Sequence, residues 1–428
     1  MNATHKLTRS KRWIGALTLS SSFFLINMAL ADEVPPGTVL SAANIDALKE
    51  QTLDGHKIGD MLVDTQETLI REYGMTMTLG HTKPITPRPN LEKITKEYAP
   101  KVTFDPKTRL ISGFEAGMPF MEIKEDDPHA AIKLAYNFMR GSWHGDIEDL
   151  NPQHILSIGS KSGIERVMRF HYSRLLMIGR LDAPHILGDG KIAKYEAGIF
   201  TYPNDIRGVG TLNVQYMDGR LPDVYAYIQA VRRVRRLSSN IGSDPLSGTD
   251  FLTDEAFGMN ADPTWSNDWK IKRKKWILAV AHSTLVPYQE SGRNNKEKYP
   301  NIESDKAPYW NVQDTWEPRE VWEVETTLPK THMVSKKIQY YDAFVYVPNL
   351  YWQNFYDRAG KIWRIENCNY GDAVDAQNRP LPSMKWVIAV DLQRAHATIV
   401  YADQNWKKNM VNYNVSDYQP EAIPRMMK

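Results

Sequence analysis

Apolar positions recur at helical spacing in three stretches of the N-terminal third and at alternating spacing over most of the remainder. Ser41 is placed to cap a short helix running to about Thr52. From Gly55 onward, Ile58, Met61, Leu62, Leu69 and Ile70 make one apolar stripe, which predicts an amphipathic helix ending near Gly74. The third helix is the best marked. Asp127 stands at the N-cap and Pro128 at the first helical position; Ile132, Ala135, Phe138 and Met139 form its apolar face, and Gly141 ends it. Between the helices, Pro84, Pro87 and Pro89 fix a loop of restricted conformation over His81 to Pro89.

From Glu165 the pattern changes to strands: Arg166 to Gly179, Gly190 to Thr201, Gly208 to Met217, Val224 to Leu237, Lys270 to His282, Arg319 to Thr326 and Ser335 to Tyr346. Leu350 to Phe355 and Ile362 to Asn367 form a hairpin around Asp357-Arg358-Ala359-Gly360, and Lys385 to Tyr401 supplies a last strand or pair. Turns at Asp189-Gly190 and Asp218-Gly219 favour antiparallel pairing. No βαβ repeat is present. The expected fold is α+β, mainly β: a strongly curved antiparallel sheet, a part-closed barrel, with the N-terminal helices covering its concave face. Residues 288–316 read as a long polar, aromatic loop over one end, and residues 407–428 as an irregular tail.

The most distinctive stretch is Pro222 to Met259. Val224, Ala226, Ile228 and Ala230 alternate with Tyr225, Tyr227, Gln229 and Val231, so both faces of an extended chain are apolar. Arg232, Arg233, Arg235 and Arg236 then place guanidinium groups on both faces, and the strand must leave its core there. Two readings stand. The arginines form a patch for nucleic acid or phospholipid headgroups, or they end a solvated strand and pair with Asp244, Asp250, Asp254 and Glu255 downstream. Without interleaved aromatics, the nucleic-acid version of the patch is the weaker one, and no nucleic-acid partner is expected.

At the N-terminus Lys6, Arg9, Lys11 and Arg12 precede an apolar run from Ile14 to Met28 and a small-x-small site at Ala29-Leu30-Ala31. This predicts a cleavable signal peptide over residues 1–31 and export to the periplasm. No cysteine follows the site, so lipid attachment there is excluded, and membrane contact is expected to be peripheral or transient only. The whole chain carries a formal charge of +2; the first 31 residues hold four basic side chains and no acid, so the remainder stands at about −2. A nearly neutral chain argues against a general polyanion binder. Cys368 is the only cysteine, which excludes an intramolecular disulfide and a cysteine-based metal cluster.

Catalytic patterns are sparse. Gly159-Ser160-Lys161-Ser162-Gly163 puts lysine where a nucleophile-elbow serine would stand, and Gly208-Val209-Gly210 lacks the third glycine of a dinucleotide site. The histidines are scattered, with His171, His282 and His396 inside strands. Trp143-His144-Gly145-Asp146 forms a polar cluster without a partner motif, and Asp391, Arg394 and His396 read as a structural network. The expectation is no enzyme, no catalytic residues, no metal and no cofactor.

Aromatic content carries more weight. Trp276, Trp322, Trp352, Trp363 and Trp386 all fall in strands, where packing of a large sheet is their default role. As a set with Phe138, Met139, Tyr225, Tyr227 and Ile228, they are also suited to line a cavity for an elongated hydrophobe. Trp276 and Trp322 head the tryptophans in that role, and Arg232, Arg233, Arg235 and Arg236 are expected at the cavity rim or against a partner.

The tyrosine-rich strand running into Arg-Arg-Val-Arg-Arg, then a loop with Gly-Thr-Asp-Phe and an acidic segment, resembles outer-membrane lipoprotein-sorting proteins of the LolA/LolB superfamily. More closely, the chain resembles the family known as domain of unknown function 1329. PPGTVLSAANIDALK at Pro35 to Lys49, FDPKTRLISGFEAGMPF at Phe104 to Phe120, TYPNDIRGVGTL at Thr201 to Leu212, KKWILAVAHS at Lys274 to Ser283, PREVWEVE at Pro318 to Glu325 and IAVDLQRAHATIV at Ile388 to Val400 all fit it. The resemblance implies a single domain over residues 32–406 with an apolar cavity between sheet and helices. It also implies a carrier of lipid or of a lipoprotein acyl chain, serving outer-membrane components or a transporter of the resistance-nodulation-division kind. The alternative is an envelope interaction or sensor protein that uses the same fold to bind a protein.

Overall fold

The computed structural model describes residues 32–228, 233–237, 244–284, 289–291, 296–401 and 406–427. Its junction is the strand Thr315–Thr327. The first two residues of that strand pair in parallel with Met77–Leu79, and the rest pairs antiparallel with Asp268–Ala279 on one side and Lys336–Asp342 on the other. From Lys336–Asp342 the ladder continues through Leu350–Tyr356, Ile362–Val374, Pro380–Asp391, His396–Tyr401, Ile147–Gly159, Gly163–Leu176, Ile192–Tyr202, Val209–Tyr216 and Asp223–Ile228 to Arg233–Arg236. The result is one sheet of 16 strands.

Two expectations need correction. The sheet is mixed, because the Thr315–Trp316 pairing is parallel. It is also not closed into a barrel: the ladder ends at Val39–Leu40 on one side and at Arg233–Arg236 on the other. An end strand with exposed arginines makes a poor template for further pairing, since charge on an edge opposes the approach of another strand.

The expected single strand from Val224 to Leu237 is a hairpin. Tyr225, Ala226, Tyr227 and Ile228 lie opposite Arg236, Arg235, Val234 and Arg233. Alternation alone could not show the reversal, because both arms alternate and the residues between them carry no glycine or proline.

The helices follow the expected apolar stripes with shifted ends. The first is confined to Ile45–Leu48, with Asn44 accepting the Ser41 amide at 2.8 Å. The second is broken into Ile58–Met61 and Asp64–Tyr73 by extended backbone at Leu62 and Val63, and Gly74 ends it in the left-handed region at φ 66°. The third spans Ala130–Arg140, with Asp127 accepting the His129 amide at 2.8 Å just before it. A further helix, Leu91–Tyr98, has no counterpart in the sequence reading.

The strand Ile147–Gly159 was also not anticipated. Beside Leu150, Ile155, Leu156 and Ile158 it buries Glu148, Asp149, Gln153 and His154, so polar residues interrupt its apolar alternation. Its carboxylates are held by partners: Glu148 meets Arg174 at 3.0 Å and Lys408 at 2.8 Å, and Asp149 meets His171 at 2.6 Å. Among the described residues no helix is long and apolar enough to cross a membrane.

The central strands have two chemically different faces. Tyr340, Trp352, Asn367 and Ile388 form one cross-strand row, and Gln339, Gln353 and Glu366 form a row on the opposite face. On the first face, Thr65 donates to Asn354 at 2.7 Å and Gln66 to the Leu278 carbonyl at 3.0 Å, which fixes the helix Asp64–Tyr73. On the second, Gln339 donates to Gln353 at 2.9 Å and Gln353 to Glu366 at 3.1 Å. The segment 244–262 crosses that face, with Glu255 on Lys337 and the Phe257 amide on Glu366.

At the far end of the sheet, Leu175, Tyr195, Ile199, Leu212 and Tyr227 form a second core with Tyr418 and Ile423 of the C-terminal segment. Tyr195 and Tyr418 stack with ring centroids 5.6 Å apart.

Candidate binding cavity

Three adjacent strands supply the floor. Trp352 lies opposite Asn367, Asn367 opposite Ile388, and Ile365 opposite Val390, so alternate residues point to one side. Trp386 and Trp316 extend this floor, and Leu69, Met75, Trp310, Asn311 and Val312 close it from above. The space between them measures about 30 Å³. That is room for about two water molecules, well short of the ~300 Å³ of a typical small-molecule pocket.

The indole N–H groups are treated unequally. Trp352 donates to Thr65 and to Asn354, both at 2.9 Å, and Trp386 donates to Asp314 at 3.1 Å. The Trp316 Nε1 is buried without a hydrogen-bond partner among the described residues. Burial raises the pKa of Asp314 above the usual carboxylate value, although Ser283, Trp386 and two backbone amides bond to it. The roof is latched at the end of its helix: Asn311 donates to the Gly74 carbonyl at 2.9 Å, and the Tyr73 and Trp310 rings lie 5.8 Å apart.

The sequence-derived site residues lie elsewhere. Phe138 is fully buried between Trp143 and Tyr341, at ring distances of 5.6 and 5.5 Å, and Met139 beside it is half-buried. Trp276 stacks on His56 at 3.9 Å, and Trp322 is buried under the Lys274 ammonium at 5.0 Å. Tyr225 and Tyr227 join the second core, and Ile228 is 42% exposed. None of these residues lines the cavity, whereas Trp352 and Trp386 of the strand tryptophans do.

Arg232 lies outside the described residues. Arg233, Arg235 and Arg236 stand on the end strand, with six strands between theirs and the strand of Trp386. At the usual strand spacing that is about 34 Å along the sheet. Among the described residues the downstream acids do not pair with them. Arg236 pairs with Asp223 instead, while Asp250 meets His396 at 2.6 Å, Asp254 meets His332 at 3.0 Å and Glu255 meets Lys337 at 2.5 Å.

Asp254, Glu255 and His332 come close enough to resemble a metal site, with ligand atoms within 4.8 Å of one another. Their bonding fits a proton better. The Val334 amide donates to His332 Nδ1 at 2.9 Å, which leaves the ring proton on Nε2, where it is donated to Asp254. The Lys337 ammonium already occupies Glu255. His144 is likewise committed: its Nδ1 accepts from Arg174 at 2.9 Å, and burial, aided by that guanidinium, pushes its pKa well below the usual value. Asp146 accepts from Arg88 and from the Leu181 and Asp182 amides. Gly159 to Gly163 forms the turn between two strands, with Ser162 bonded to Glu165.

Residues 40–424 match the family described as protein of unknown function (DUF1329). The chain belongs to this family. No curated protein matches it. Similar solved structures include a domain described as an outer membrane lipoprotein-sorting protein domain from Vibrio parahaemolyticus, at 14% identity and TM-score 0.45, covering 70% of this chain and 100% of the other. A DUF1329 family protein from Desulfovibrio piger aligns at 14% identity and TM-score 0.47, over 70% of this chain and 99% of its own. A LolA superfamily protein from Nitrosomonas europaea aligns at 14% identity and TM-score 0.36, over 68% and 97%.

In this DUF1329 protein the cavity residues that sequence reasoning missed include Ile365, Asn367, Ile388 and Val390 of the floor, and Leu69, Met75, Trp310, Asn311, Val312 and Trp316 around it. Leu69 belongs to a stripe that was legible. Met75 directly follows Gly74, and Trp310, Asn311, Val312 and Trp316 come from a segment that looks polar along the chain, although all four are buried.

Proposed function

We propose that this protein is a periplasmic, non-enzymatic carrier or binding protein for a hydrophobic ligand such as a lipid or a lipoprotein acyl chain, acting in outer-membrane trafficking or beside an RND-type transporter. The observation that carries the reading is the cavity itself: four tryptophans and six aliphatic or methionine side chains, with only two asparagines among its lining. Apolar walls with few polar groups are what a chain-like hydrophobe requires. At about 30 Å³ the cavity has no room for an acyl chain, so uptake needs the helix Asp64–Tyr73 and the Trp310–Val312 segment to part. The Asn311 to Gly74 bond and the Tyr73–Trp310 contact are the interactions to be broken.

The test is native mass spectrometry of protein purified from a periplasmic extract without detergent, followed by lipid analysis of what denaturation releases. A stoichiometric hydrophobic ligand supports the carrier. An apo mass that takes up no lipid from a membrane extract contradicts it. The small volume favours a second reading, an envelope interaction or sensor protein with a filled core. That reading predicts the apo mass together with a stable protein partner.

A further inference from the structure

We propose that the hairpin at the open end of the sheet docks this protein on an anionic phospholipid surface through Arg233, Arg235 and Ile228. The register fixes which side chains share a face. Arg233 lies opposite Ile228 and Arg235 opposite Ala226, while Tyr227 and Val234 face each other on the other side. The tyrosine side packs into the second core with Tyr418 and Ile423. Arg233, Arg235 and Ile228 therefore project from the side that the C-terminal segment leaves open, and all three are exposed, Ile228 to 42%.

Charge at this end is uncompensated. Arg236, Arg166 and Arg220 each have a carboxylate, from Asp223, Asp205 and Asp218. Arg233, Arg235 and the exposed Arg207 have none among the described residues, and Arg207 stands two residues before Val209, which lies opposite Ile228. The excess is local, since the chain beyond residue 31 is close to neutral. An exposed isoleucine beside two arginines suits the headgroup boundary of a bilayer, where an apolar side chain inserts and the guanidiniums stay on phosphate. A nucleic-acid backbone has no comparable use for it. The hairpin lies far from the tryptophan cavity along the sheet, so this inference stands whether or not the carrier reading does.

The experiment is co-sedimentation of the exported protein, as isolated from cells, with vesicles of pure phosphatidylcholine and with vesicles that also contain phosphatidylglycerol, at low and high salt. The wild type is expected to bind only the anionic vesicles, and less at high salt. At roughly fivefold per arginine, Arg233→Ala with Arg235→Ala lowers partition by about 25-fold. The matching pair Arg233→Lys and Arg235→Lys retains most of it, which separates charge from any loss of fold. Ile228→Ser weakens binding at both salt concentrations. Equal binding to neutral vesicles, an alanine pair that binds like the wild type, or no binding by the wild type overturns the proposal. Retention by native membranes but not by vesicles of their lipids also overturns it, in favour of a protein partner.

Discussion

Asn311 donates its side-chain amide to the Gly74 carbonyl at 2.9 Å, joining the end of the helix Asp64–Tyr73 to the segment that completes the tryptophan cavity. Gly74 occupies the left-handed region that ends the helix, and its carbonyl would otherwise lack an intrahelical partner. Asn311→Ala is expected to lower stability by about 1 kcal/mol, the usual worth of one such bond. Chemical denaturation measures this. If the bond is the latch, the same variant takes up a fatty acid faster than the wild type; unchanged uptake with lowered stability assigns Asn311 to packing alone.

Glu366 supplies a pH test. Burial, reinforced by the charge of Glu255, pushes its pKa well above the ordinary 4.5, while Lys337, Arg364 and the Phe257 amide pull the other way. The folded protein therefore keeps a proton that the unfolded chain releases as pH rises past about 4.5, and stability falls with pH from there up to the raised folded value. Glu366→Gln keeps an acceptor for Gln353 and for the Phe257 amide but cannot ionise. Its stability between pH 5 and pH 8, read by thermal melts, is expected to fall less than that of the wild type. An equal fall in both proteins contradicts a neutral Glu366.

The C-terminal segment is a structural part of the sheet's far end. Ile423 is 1% exposed and packs in the core formed by Leu175, Tyr195, Leu212 and Tyr227. Ile423→Ala is expected to cost about 3 kcal/mol, within the range for deleting buried aliphatic groups. A loss below about 1 kcal/mol, measured by denaturant titration, would show that the segment is docked loosely.

Much of this architecture was legible. Alternation located most of the long strands, and the stripe ending at Gly74 placed Leu69 over the sheet. What escaped has particular causes. Ile147–Gly159 buries paired charges alongside Ile155, Leu156 and Ile158, so its periodicity was broken. The Val224 to Leu237 stretch reverses without a glycine or proline, so a hairpin read as one strand. Trp352 and Trp386 were identified as strand tryptophans, but which of the strand aromatics face a common cavity depends on sheet order. Leu350–Tyr356 and Pro380–Asp391 both pair with Ile362–Val374, whereas the tyrosines of the end hairpin lie many strands away. Trp310 and Trp316 were hidden in a segment that looks polar, yet both are almost fully buried.

The central claim is that the tryptophan cavity opens to hold a hydrophobic chain, and the most direct measurement is quenching of tryptophan fluorescence by a fatty acid brominated along its chain, with the unbrominated acid as control. The account predicts quenching by the brominated acid alone, saturating at one equivalent, and reduced in amplitude by Trp310→Phe and by Trp386→Phe. Quenching that rises linearly without saturation, or that both variants leave unchanged, would contradict it.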